Sequence, residues 1–415
     1  MKTIAAKQPS SLACIKFWVV VTLIMLLILW VFAMQLATLD NKIMVPKSAF
    51  YIPYDFPPQR VYKNNGYLII SPNGGLTQKR LGVADMVAIA RYLNVTLIVP
   101  KFAHGTYWND TSKFEDIFYV NHFITSLRDE VKVLKELPPE QKRKAESEPL
   151  YYMFPMYFGS LEYYLQSCRV NYEALRFTQP IQETGRKIVN ILREKGPFLV
   201  LHLRYEKDIL AFTSCKQGLT KEEAEDVKQM KYSQDGWRHK PIASNKKRKH
   251  GLCPLTPEET ALVLQALNID KNITIYIAAE EIYNKEKRMA DLVATYPNLT
   301  ILNPEELEPF MEHADQMAAM DYIVAIESDI FMPTFVGNMA VAVQGHRGHS
   351  LLTLLLTMKF ARFHHDEFSL LVKKIHEDRP GKRAKRKENP DHARQEDSFY
   401  SNPQDCLPTF ASTIN

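Results

Sequence analysis

Three short polar clusters hold the residue types that could do chemistry in this chain. The first is Asn73-Gly74-Gly75. A glycine pair lets backbone N–H groups approach a ligand closely, and a helix starting there favours a negative group. The second is His202-Leu203-Arg204-Tyr205-Glu206 at the end of an apolar run. Strand alternation puts His202 and Arg204 on one face, and arginine offers a planar, permanently charged fork suited to a diphosphate. A histidine beside it can donate to the same group or to a sugar hydroxyl. The same residues also read as an Arg204–Glu206 ion pair beside a core histidine. The third is Asp321 with Glu327-Ser328-Asp329. Asp321 would accept from the edge of a base or a ribose, and Ser328 with the neighbouring N–H would reach a phosphate. Glu327-x-Asp329 also reads as a loose metal-binding pair, or as helix capping by Ser328 or Asp329.

Alternating strands and helices are expected to position these clusters. Tyr67–Ser71 reads as a strand, Leu76–Tyr92 as a helix with Leu81, Met86 and Ile89 on one face, and Val95–Pro100 as the next strand. The pattern resumes with a helix over Pro180–Lys195 and a strand over Phe198–Leu203. Thr256, Pro257 and Glu259 are the N-cap, N1 residue and capping-box partner of a helix running to about Ile269. Ile273–Ala279 is a strand, Lys285–Thr295 a helix and Leu299–Leu302 a strand; a helix around His313–Met320 precedes a strand over Asp321–Ile326. This order predicts an α/β protein with parallel sheets covered by helices, in two facing Rossmann-like domains at 66–175 and 176–372. Ligands in such folds bind beyond the carboxyl ends of the strands, where all three clusters are expected.

The 23 uncharged residues Phe17–Leu39 can cross a bilayer, and Lys2, Lys7 and Lys16 precede them. The expectation is a short cytosolic tail (1–16), an uncleaved transmembrane signal-anchor (17–39), a stem (40–65) and a lumenal remainder. Cys168, Cys215, Cys253 and Cys406 follow the anchor and permit two disulfides in three connectivities. Of four N-glycosylation sequons, at Asn94, Asn109, Asn272 and Asn298, the one at Asn109 is expected to be used. The net charge of +5 is local: Lys373–Lys387 holds eight basic residues against Glu377 and Asp378, so the rest of the chain sums to −1. That segment opens a basic tail (373–415). With no aromatic interleaving, it and the run Arg238–Lys249 read as solvated segments and not as nucleic-acid sites. The chain contains no P-loop, H-E-x-x-H, G-x-S-x-G or Asp-x-Asp.

NGYLIISPNGGLTQKRLGVADMVAIARYLNVTLIVP (65–100), FLVLHLRYEKDILAFTSC (198–215), LCPLTPEETALVLQAL (252–267) and QMAAMDYIVAIESDIFMPTFVGNMAVAVQGHR (316–347) resemble the plant O-fucosyltransferase family, glycosyltransferase family 106, which includes pectin rhamnosyltransferases. This chain has Thr77 and Val336 where the family pattern has Asn and Asp. The resemblance implies a type II Golgi membrane protein of GT-B-like fold and an inverting transferase that needs no metal or other cofactor. Its donor would be GDP-fucose, or UDP-rhamnose in a pectin rhamnosyltransferase, and its acceptor a cell-wall glycan or glycoprotein. An inactive scaffolding member is the further alternative. The resemblance also implies that Asn73-Gly74-Gly75 lines the donor and acceptor cleft, that His202 and the catalytic Arg204 contact the diphosphate and glycosidic oxygen, that Asp321 recognises the base, and that Ser328 and Asp329 supply a second phosphate contact. Glu206 is a candidate acceptor-activating base by position only.

Overall fold

The computed structural model describes residues 58–102, 110–147, 169–238, 243–300, 307–335 and 337–347, together with Met25, Leu370 and Lys374. The expected membrane anchor, most of the stem, Asn109, Cys168, Cys406 and nearly all of the basic tail lie outside the described residues. Among the described residues no helix is long and apolar enough to cross a membrane. The chain divides into two units, Met1–Phe56 and Pro57–Asn415, and every described residue but Met25 lies in the second.

Two parallel sheets organise it. The first has the order β1 (Tyr67–Leu68), β2 (Thr96–Ile98), β3 (Val133–Leu134). The second has the order β6 (Leu299–Thr300), β5 (Thr274–Ile277), β4 (Phe198–His202), β7 (Ile330–Pro333), all parallel. Helix α1 (Leu76–Leu93) follows β1; Asn94 ends it in a left-handed turn, its N–H on the carbonyls of Ala90 and Arg91. Before β4 comes α2 (Gln179–Glu194), with Thr178 as N-cap and Pro180 in its first turn. After β4 come α3 (Lys207–Thr213) and α4 (Lys221–Ser233). Helix α5 (Pro257–Ala266) starts on the expected capping box: Thr256 Oγ1 accepts from the Glu259 N–H at 3.2 Å, and Glu259 Oε2 accepts from the Thr256 N–H at 3.0 Å. The helix expected over Lys285–Thr295 is split into Lys285–Arg288 and α6 (Ala290–Thr295).

Alternation along β4 sorts the core. Phe198 and Val200 face α2 and α7 (Ala314–Glu327), whereas Leu199 and Leu201 face α5 and α6. The first of these clusters also takes in Val83, Val87 and Leu97 of the first sheet layer, so the two sheets share one core. Gly185 of α2 makes close packing on α7 possible: a β-carbon there would lie 3.0 Å from Ile323. A disulfide joins Cys215 to Cys253, which are 38 residues apart, and closes the segment carrying α4 and the described part of the basic run. For a loop of that length the chain-entropy account gives about 4 kcal/mol of stabilisation.

One assignment is corrected. Asp321–Ile326 is not a strand; it is the second half of α7. The hexapeptide is buried at Tyr322, Ile323, Val324 and Ala325. Apolar residues on adjacent positions look like a buried strand, but helix started at Ala314 runs through them without a break, and a short apolar run does not separate the two by period. The strand of this region is β7, and it begins after Glu327-Ser328-Asp329.

Candidate active site

That correction moves Ser328 and Asp329 to the amino end of the second sheet. The Phe198 N–H donates to Asp329 Oδ2 at 2.9 Å, and the Asp329 N–H donates to the Phe198 carbonyl at 3.1 Å. Ser328 Oγ donates to the Ala325 carbonyl at 2.9 Å, and Arg347 of α8 (Asn338–Arg347) donates to Ser328 Oγ at 2.6 Å and to the Asp329 carbonyl at 3.1 Å. These residues cap α7 and start β4 and β7. His202 and Arg204 lie a strand's length away, roughly 15 Å at about 3.3 Å per residue. The expectation of all three clusters at one sheet edge therefore fails for Ser328 and Asp329, and Asp329 Oδ2 accepts from the backbone of Phe198.

The carboxyl edge of the second sheet holds a different set. His202 ends β4, and its Nδ1 lies 3.0 Å from the Ala278 carbonyl. A carbonyl only accepts, so Nδ1 carries the proton and Nε2 keeps its lone pair. Burial, then the charge of Arg204, pushes the His202 pKa down to about 3, so the ring is neutral. In this state Nε2 is left as an acceptor. The Arg204 N–H donates to Thr334 Oγ1 at 2.9 Å, and Thr334 Oγ1 donates to the His202 carbonyl at 3.1 Å. Thr334 directly follows β7, and a strand expected over Asp321–Ile326 gives no signal for it in the sequence.

The Arg204 side chain is 17% exposed and meets two acids: Nη1 lies 2.9 Å from Glu206 Oε1 and Nη2 lies 3.8 Å from Asp208 Oδ2. The ion pair anticipated from sequence is therefore present, but Glu206 is buried rather than on the surface. Burial raises the Glu206 carboxyl to about 7, Arg204 opposing and Asp208 and Glu280 adding to the shift. Asp208 and Glu280 are raised as well, first by desolvation, again with Arg204 opposing.

Asp321 projects from α7 and accepts from the Tyr276 hydroxyl at 2.5 Å. Burial raises its pKa to about 7, with the Tyr276 bond opposing and Glu280 adding. The folded state therefore holds this proton longer than the unfolded chain does. The associated stability is present at low pH and is lost as pH rises from the ordinary carboxylate value of 3.8 towards 7. Asp321→Asn, which keeps an acceptor for Tyr276, is expected to gain stability relative to the parent between pH 5 and pH 8. Urea midpoints at the two pH values measure this, and a constant difference would refute it.

Asn73-Gly74-Gly75 follows β1 and starts α1, as expected, with Gly74 at φ +89°. The negative group at this helix start is supplied by the protein. The Leu76 N–H bonds the Asp315 carboxylate, which also pairs with the buried Lys79, and the Asp315 N–H donates to Asp110 Oδ2 at 2.6 Å. Asp315 in turn contributes to the field at Glu280, which also senses Arg204. Glu280 thus stands electrostatically between the helix start after the glycine loop and the H-L-R strand end. On the carboxyl edge of the first sheet, a groove of about 460 Å³ is lined by Val99, Tyr119, Asn121 and Lys135 among others.

Residues 67–350 match the family described as GDP-fucose protein O-fucosyltransferase. The chain is 46% identical over 400 residues to rhamnogalacturonan I rhamnosyltransferase 1 of Arabidopsis thaliana, covering 85% of this chain and 79% of that protein. It is 36% identical over 429 residues to O-fucosyltransferase 38 of the same plant, covering 89% and 81%. Among solved structures, POFUT1 in complex with GDP-fucose matches with a TM-score of 0.42 at 14% identity, over 71% of this chain and 98% of that one. By the extent of the family match and the identity to both groups of plant enzymes, the chain belongs to the GDP-fucose protein O-fucosyltransferase family of glycosyltransferases.

Proposed function

We propose that the protein transfers a 6-deoxyhexose from a nucleoside diphosphate to a glycan hydroxyl, with inversion and without a metal. The observation that carries this is Arg204: a guanidinium just past the carboxyl end of β4, partly open to solvent and paired with Glu206 and Asp208. As the sugar departs, negative charge builds on the diphosphate oxygen, and a fixed fork in a partly water-excluded site stabilises that charge. His202, neutral with Nε2 free to accept, orients a hydroxyl of the donor sugar or the acceptor. Thr334 holds the Arg204 backbone in register with β7. In this reading Asp321 and the Asn73-Gly74-Gly75 loop contribute to base and acceptor recognition.

For the donor we favour UDP-rhamnose and a rhamnogalacturonan I acceptor, because identity to the named rhamnosyltransferases, 46% and 41%, exceeds that to the O-fucosyltransferases, 36% and 37%. GDP-fucose, with a cell-wall glycan or glycoprotein acceptor, is the second reading, supported by the family description. An uncleaved anchor over 17–39 and a Golgi-lumenal catalytic part complete the proposal, supported by the uncharged N-terminal run. Purified protein incubated with each donor is expected to release UDP from UDP-rhamnose and to extend rhamnogalacturonan oligosaccharides. Turnover of GDP-fucose alone would select the second reading, and turnover of neither, with nucleotide still bound, would leave a binding scaffold.

A further inference from the structure

We infer that Glu206 is a positioning residue that aims the Arg204 fork, and that it does not take the acceptor proton. The inference rests on the transferase reading above.

Arg204 has five N–H donors, and among the described residues only Nη1 is committed to a side-chain acceptor, Glu206 Oε1 at 2.9 Å. Asp208, at 3.8 Å, contributes charge but no hydrogen bond. One carboxyl oxygen therefore holds one end of the guanidinium, and the other N–H groups have no side-chain hydrogen-bond acceptor among the described residues. Glu206 is itself immobile: it is 3% exposed, it is the N-cap of α3, its carbonyl accepts from the Leu210 N–H at 3.1 Å, and it bridges to Ile282. Its second oxygen, Oε2, is buried without a hydrogen-bond partner. Arginine–carboxylate pairs frequently place both oxygens on the fork, and this one places a single oxygen there. A base for the acceptor would have to present an oxygen to the cleft, and neither oxygen of Glu206 is placed to do so.

The groups facing Glu206 are Arg204 from the strand end, Asp208 from α3 and Glu280 from the segment after β5. With all three acids ionised, the surroundings of Arg204 would carry a net negative charge and would repel a diphosphate. Donor binding is therefore best when Glu206 carries its proton on Oε2, where it still accepts from Nη1 through Oε1 while the arginine keeps its full charge. Affinity for UDP and GDP falls as Glu206 ionises.

The test uses Glu206→Gln and Glu206→Ala, with calorimetric UDP and GDP binding and steady-state transfer between pH 5.5 and 8.5. Glutamine keeps the acceptor for Nη1, so kcat is expected to stay within about threefold of the parent while the fall in nucleotide affinity around pH 7 flattens. Alanine releases the fork and is expected to lower kcat about 10²-fold. Melting curves check folding, and should alanine fail to fold, the pH profile of the glutamine variant decides alone. A glutamine variant with an unchanged pH profile, or one with kcat reduced as far as in alanine, overturns the inference. Parental protein that binds UDP or GDP but gives these outcomes refutes only the role of Glu206. Parental protein that binds neither nucleotide removes the transferase reading and this inference with it.

Discussion

Arg204→Ala is expected to lower sugar transfer by about 10³-fold. The guanidinium sits just past the carboxyl end of β4, and among the described residues only its Nη1 donates to a side-chain acceptor, with Asp208 3.8 Å from Nη2. Lost charge stabilisation of the leaving diphosphate acts on the transition state more than on donor binding, so kcat should fall more than affinity. The substitution also strands Glu206, but that carboxyl already sits near pKa 7 and relieves the strain by taking a proton. The fold should survive, and circular dichroism with a melting curve checks this. Arg204→Lys separates charge from geometry: it keeps the cation and loses the planar fork, and it should recover only a minor part of the rate. An alanine variant retaining more than a tenth of parental kcat would mean that another group carries the leaving charge.

How the site became legible follows from which signals are local. The Gly-Gly turn, the Thr256 capping box and the four-residue apolar run Phe198–Leu201 ahead of His202 are each set by neighbours in sequence, and each appears as expected. The misreading at Asp321–Ile326 has one cause and several consequences. Assigning that run as strand shifted β7 upstream, which placed Ser328 and Asp329 at the ligand edge and hid Thr334, the residue that is actually there. Helix and buried strand differ here in tertiary cover, not in local composition: Ile323 meets Gly185, and Tyr322 donates to the Ala342 carbonyl at 3.2 Å. Contacts of that kind are long-range and cannot be read from spacing. The same holds for the Lys79–Asp315 pair, 236 residues apart, which links α1 to α7. In sequence Lys79 is only one of several charges on an amphipathic helix.

The residue after Lys79 carries the largest expected effect on folding. Arg80→Ala should destabilise the protein by about 3–5 kcal/mol. Arg80 is 1% exposed, and no carboxylate among the described residues lies in salt-bridge range of it. Its guanidinium is held by rings and carbonyls. The ring centroids of Tyr322, Phe177 and Phe118 lie 4.9, 5.1 and 5.6 Å away, Nε donates to Asn171 Oδ1 at 3.3 Å, and Nη2 donates to the Asn171 carbonyl at 2.5 Å. Burial lowers its pKa, while the Tyr322 and Tyr172 hydroxyls act in the opposite direction. Desolvating a guanidinium costs several kcal/mol, so its removal would be favourable if nothing else changed. Two effects outweigh that gain. The carbonyl and amide oxygens of Asn171 lose their donor inside the core at about 1–3 kcal/mol each, and a cavity opens among three aromatic rings that meet from both layers. Arg80→Lys tests the balance, because it keeps a charge near the rings but cannot serve both oxygens of Asn171 along the same fork; it should recover less than half of the loss. Urea unfolding of the three proteins measures this. A loss under 1 kcal/mol for alanine would show that the core closes over the gap, and that the seam between α1 and α7 rests on Lys79 and Asp315 instead.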